Sequence, residues 1–180
     1  MPARIALNVS WVPMPQLVAQ TYFLSAERAR DLETPMKEAV SLFGSEIDMN
    51  FQVEGRPEKW EELAPSTLRR KLGQAIDSDT RADIRLATEE YRSQVIDVAM
   101  GGIKILQDDG DLYDSATNPD SWVIQSSGNA SIAELVDTTG YGAYHVEGTA
   151  KMPQRDFTYI SDEALAEAEE YFAEWVLEGV

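Results

Sequence analysis

Five large apolar residues, Met36, Val40, Phe43, Ile47 and Phe51, recur every three or four positions, and this spacing constrains the fold more than anything else in the chain. It lines one stripe of an α-helix and leaves Lys37, Glu38, Ser41, Ser45 and Asp48 facing water. Thr34 followed by Pro35 marks the start, because proline at the first helical position gives up no hydrogen bond and presets φ. Gly55 and Pro57 end the helix, which is predicted to be the main helix of the core. A second amphipathic pattern runs from Ser161 to Val176. Leu165, Ala168, Phe172 and Trp175 form its stripe, and Glu163, Glu167, Glu169, Glu170 and Glu174 form a strongly acidic opposite face. Ser161 offers the side-chain cap, and Asp162 and Glu163 sit in the first turn, where the helix dipole favours carboxylates.

The segments between these helices mix both periods. Arg4 to Val9 alternates, with Ile5, Leu7 and Val9 on one face, which suits a short strand. Pro13 and Pro15 then forbid regular pairing, so residues 1–30 are read either as edge strands or as an N-terminal arm that leaves the body to touch a neighbour. Glu54 to Leu68 is a loop in which Trp60 and Leu63 fold back on the core. After Pro65 a short helix capped by Ser66 or Thr67 carries Leu68, Leu72 and Ile76, with Arg69, Arg70 and Lys71 as its polar face. Thr80 to Met100 repeats the helical period through Ile84, Ala87, Tyr91, Val95 and Val98. Ser121 to Ser126 and Ile132 to Asp137 read as a β-hairpin, with Trp122 and Ile124 on one face and Val123 on the other. The fold class is therefore α+β: amphipathic helices packed on a small, mainly antiparallel β-sheet, as a single domain spanning 1–180.

Charge and composition narrow the function. The net charge of −17, from 32 acidic and 15 basic residues, opposes binding to nucleic-acid phosphates. There is no cysteine, so no disulfide, thiolate zinc site or cysteine nucleophile is available. No apolar run approaches the roughly 18 residues needed to cross a bilayer, and the start shows no secretory leader, so a soluble protein is expected. Asp108, Asp109, Asp111 and Asp114 surround Gly110, and clustered carboxylates suit calcium. Their spacing fails the twelve-residue calcium loop, so a solvated turn is the reading and no metal is assigned.

The stretch from Tyr141 to Ile160 holds the only histidine, His145. Gly140, Gly142 and Gly148 bracket a short buried element expected to join or abut the hairpin sheet. Beyond Pro153, Arg155 and Phe157 alternate on an extended backbone, one to each face. A hydrolase or metalloenzyme built on an imidazole has to use His145 with neighbouring carboxylates such as Glu147. No G-x-S-x-G elbow, Walker loop or dinucleotide turn accompanies it, so His145 is read as packed and hydrogen-bonded beside Tyr141 or Tyr144, with no catalytic residue or cofactor assigned.

Several segments in order resemble the phage virion morphogenesis family, the tail-completion or head-to-tail joining proteins of tailed bacteriophages. Phe51, Glu54, Gly55 and Trp60, then Leu63, Pro65, Thr67 and Leu68, are similar to the pattern F..EG...W..L.P.TL. Ile105, Leu106, Gly110, Leu112 and Ser115 resemble IL..TG.L..S, with Asp109 where threonine is usual. Tyr144, His145 and Gly148, followed by Pro153, Arg155 and Phe157, resemble YA..H..G and P.R.F, ahead of a C-terminal helix. The helix from Thr80 to Met100 looks like an insertion.

The resemblance implies a structural virion protein of the neck rather than an enzyme. It implies a self-assembled ring, often hexameric, around the DNA channel, assembled in the host cytoplasm. Its expected neighbours are a head-side connector or stopper protein and the tail terminator or tail tube. A tail terminator or minor tail protein is the alternative within the class. With an acidic lumen, such a ring presents on the order of a hundred negative charges that repel passing DNA from the wall. Head-to-tail subunit contacts need exposed apolar or aromatic groups. The nominated interface residues are Trp60, Leu63, Tyr144, His145, Pro153, Arg155 and Phe157, together with the Pro13 to Tyr22 arm.

Overall fold

A computed structural model describes residues 4–5, 28, 30–76, 78–81, 88–127 and 130–177. The expected arm from Pro13 to Tyr22 lies outside the described residues. The fold is α+β, with helices around a small antiparallel sheet. Instead of one body, the chain forms two compact units, Met1–Trp60 with Leu112–Val180 and, inserted between them, Glu61–Asp111.

The first unit is built on α1 (Glu33–Val53), whose stripe is buried as its spacing predicts: Met36, Val40, Phe43, Ile47 and Phe51 all face inward, joined by Ala39 and Asn50. Glu54 ends α1 in the left-handed conformation, its N–H returning to the Asn50 carbonyl. β1 (Arg4–Ile5), β2 (Trp122–Ser127) and β3 (Ala130–Val136) form an antiparallel sheet in the order β1-β3-β2. Trp122 pairs with Leu135, and Trp122, Ser131, Ala133 and Leu135 are buried, while Val123 and Ile132 face outward. The alternation seen in the sequence is therefore the pleat itself. The longer strand expected from Arg4 to Val9 is described only at Arg4 and Ile5.

Three elements of this unit differ from the expectation. Asp111–Thr117 is helix α4, not a solvated turn, because Leu112, Ser115 and Ala116 share one buried face. Gly142–Glu147 is helix α5, an element that abuts the sheet at β1, as expected, but as a helix. The Asp137 carboxylate causes this by accepting from Thr139 N and Gly142 N, each at 2.8 Å, which turns the chain and caps the helix start. α6 (Asp162–Leu177) begins as predicted, with Ser161 Oγ accepting from Ala164 N at 3.2 Å. Its buried face is Ala164, Ala168, Phe172 and Val176, which keeps Ala168 and Phe172 of the expected stripe and replaces Leu165 and Trp175 at its ends. Trp175 is drawn aside because its indole N–H donates to the Asp31 carbonyl at 2.7 Å, and Leu165 turns outward.

The second unit contains α2 (Pro65–Ala75) and α3 (Glu89–Gly101), which pack on one another. Ala64, not Ser66 or Thr67, occupies the cap position of α2, and no side chain caps it. Lys71 is the one buried residue of α2. Its Nζ donates to the carbonyls of Lys104 and Gln107 at 2.9 and 3.3 Å and lies 3.5 Å from Asp108. It is therefore a bridge to the 104–108 turn and not part of a polar face. Thr88 caps α3, and residues 82–87 of the expected longer helix lie outside the described residues.

Candidate functional site

The nominated residues do not form one exposed patch. Trp60, Arg155 and Phe157 are buried, His145 and Pro153 are half-buried, and Tyr144 is exposed. Leu63, in the second unit, is half-buried. Burial removes Trp60, Arg155 and Phe157 from any subunit interface of this fold. They are core, because the segment 155–161 lies against α1 inside the first unit.

The site these residues build is a clip centred on Phe51 and Asn50. The Phe51 ring meets Trp60 at 5.8 Å, Tyr113 at 5.4 Å and Phe157 at 5.4 Å between centroids, two of the three contacts edge-on. Beside it, Asn50 Nδ2 donates to the carbonyls of Phe157 and Tyr159, both at 2.8 Å. Arg56 Nε donates to Asn50 Oδ1 at 2.8 Å, and the same guanidinium reaches the Glu46 carbonyl at 2.8 Å and its carboxylate at 3.1 Å. Trp60 Nε1 closes the other end on the Asp156 carbonyl at 3.2 Å. An extended segment has no helix of its own to satisfy its peptide groups, and here side chains of α1 and the 54–60 loop supply the partners.

Glu46 completes the clip by accepting from Ser161 N at 3.0 Å. Burial pushes its carboxyl up, but the hydrogen bonds from Ser161 and the Arg56 charge outweigh this and hold it below its usual value. Gly55 makes the loop close enough to work. Its φ is +114°, and an added Cβ would lie 2.6 Å from Trp60 N. Gly55→Ala is expected to cost about 2 kcal/mol, measured as a lower urea midpoint at unchanged slope. An unchanged midpoint would mean the loop is not tight.

The second cluster surrounds His145. Its ring stands edge-on to Tyr141 at 6.0 Å, and its carbonyl accepts from Arg155 N at 2.7 Å. Nδ1 is buried without a partner among the described residues. Burial lowers its pKa below 6.5, the Arg155 charge lowers it further, and Asp137 opposes them. The folded state thus binds the proton less readily than the unfolded chain. The stability contributed by the neutral ring is fully present above pH 6.5 and is lost as pH falls toward the folded value. Because the chain has one histidine, a proton NMR titration of its Cε1–H should show a single midpoint below 6.5. A midpoint at or above that value would contradict the packed, neutral assignment.

Of the four aspartates singled out for calcium, Asp108 is taken by cations: Arg70 lies at 2.8 Å and holds its carboxyl below the usual range. Among the described residues, no group of three His, Asp or Glu side chains converges on a common point. No helix among them is long and apolar enough to cross a membrane.

No family model, curated protein or solved structure matches this chain. The function is therefore read from these clusters and from the sequence. Asn50 is the residue that the sequence reading missed. Its signal was a single polar side chain on an otherwise apolar stripe, one position before Phe51.

Proposed function

We propose that this chain is a structural neck protein of a tailed bacteriophage, acting in tail completion or head-tail connection as a ring around the DNA channel. The observation that carries the reading is that residues of the resemblance, distant in sequence, meet in one place. Phe51, Gly55 and Trp60 from one motif and Phe157 from another form the clip, so the order of the motifs corresponds to a three-dimensional constraint. Motifs that build a core rather than a reactive centre fit a protein whose work is assembly. The proposed partners are other copies of the chain, a head-side connector or stopper, and the tail terminator or tail tube.

The acidic balance fits the same role. α6 alone carries six carboxylates and no cation, and such a face lining a channel keeps DNA sliding free of the wall. Electron microscopy of the purified protein mixed with tail tubes tests the proposal. Added density at one tube end is expected, and bare ends at saturating protein would overturn it.

A further inference from the structure

We propose that the second unit is where copies of this chain meet, the exposed apolar flank of α3 on one copy seating against the Arg69 side of α2 on the next. The proposal deepens the ring reading and rests on it for the partner, a second copy. α3 is a helix without a buried residue. Arg92, Val95 and Ala99 are half-buried along one face, while Tyr91, Ile96, Val98 and Met100 are exposed, Val98 to 79%. At 3.6 residues per turn, Tyr91 and Val98 lie on one flank of that face and Ile96 and Met100 on the other, so the apolar arc spans roughly 200°. Among the described residues, packing within the unit covers only the middle of it. A thirteen-residue helix is marginal in water without tertiary support, and an uncovered apolar flank of this kind marks an interaction surface.

Charge identifies the occupant. α2 is the one described helix with a net positive charge and has no acidic residue; Lys71 is buried and Arg70 is held by Asp108 at 2.8 Å, which leaves the exposed Arg69 to meet a partner. α3 carries Glu89, Glu90 and Asp97 against Arg92. Copies of so acidic a chain repel one another at most orientations. Residues 61–111 hold seven basic and eleven acidic side chains, whereas the remainder holds eight and twenty-one, so this unit carries the smaller net negative charge of the two. Arginine stems also cover apolar surface, and a guanidinium stacks well on a tyrosine ring such as Tyr91. The contact uses different faces on the two copies, the head-to-tail geometry that closes into rings.

The test measures self-association of the full chain by sedimentation and native mass, for the wild type, Val98→Glu, Arg69→Glu and Arg69→Glu with Glu90→Arg. Val98 is exposed, so its substitution leaves the monomer fold intact, which circular dichroism checks. Val98→Glu and Arg69→Glu should each weaken association at least about tenfold, and the charge swap should recover most of the loss. A wild type that stays monomeric, or a Val98→Glu variant that associates as the wild type does, overturns the interface. If that variant also still caps tail tubes, the interface is wrong while the neck function stands. Association that depends on Val98 without any tube binding supports the interface and removes the function.

Discussion

Phe51→Ala lowers the stability of the first unit by about 4 kcal/mol, read as a fall in urea midpoint followed by tryptophan fluorescence. The phenyl ring is completely buried and touches Trp60, Tyr113 and Phe157 at once, so its removal leaves a cavity whose walls come from three separate segments. Such walls cannot collapse together without breaking the clip. Phe51→Leu, which refills most of the volume, should recover more than half the loss. A loss of 1 kcal/mol or less for the alanine variant would mean that the ring cluster does not hold the segment 155–161 on α1.

The second large effect comes from Asn50. Asn50→Ala strands the carbonyls of Phe157 and Tyr159 and deprives Arg56 of an acceptor, for a cost of about 3 kcal/mol. Because Arg56 acts through the same oxygen, Asn50→Ala and Arg56→Ala should be non-additive, with a coupling energy of about 1 kcal/mol or more in a double-mutant cycle. Additive losses would show two independent contacts in place of one network. The network also predicts a selective phenotype. Hydrogen exchange of the amides from 155 to 161 should accelerate in the Asn50 variant while those of the hairpin stay protected.

Much of this fold was legible because local period and tertiary burial agree. The α1 stripe repeats at 3.6 residues and buries the side predicted, and the hairpin repeats at 2 residues with Trp122 and Val123 on opposite faces. Where the sequence misled, a long-range or capping partner had decided the matter. Lys71 looks like a surface cation until the carbonyls of Lys104 and Gln107 and the carboxylate of Asp108, more than thirty residues away, receive it. The Tyr141 to Val146 segment reads only as a short element between turns, whereas Asp137 caps it into a helix at Gly142, where an added Cβ would lie 2.8 Å from the Asp137 carboxylate and displace it. The aspartates from 108 to 114 distracted from Leu112, Ser115 and Ala116, which carry the buried face of α4.

The candidate site divides in the same way. Trp60 reads both as a residue folded back on the core and as an interface anchor, and Phe157 as an anchor, since aromatics in loops suit either place. Only their contacts with Phe51 decide for the core. Conversely, the helical period places Tyr91 and Val98 on one side, and it is their exposure that marks them for a partner. The period of a helix identifies its apolar face but does not say whether the same chain or another copy covers it.

Native mass measurement of the full chain, alone and after mixing with tail tubes, tests the central claim most directly. A single closed stoichiometry that binds tube ends is predicted. A lone subunit at every concentration, leaving the tubes bare, would contradict it.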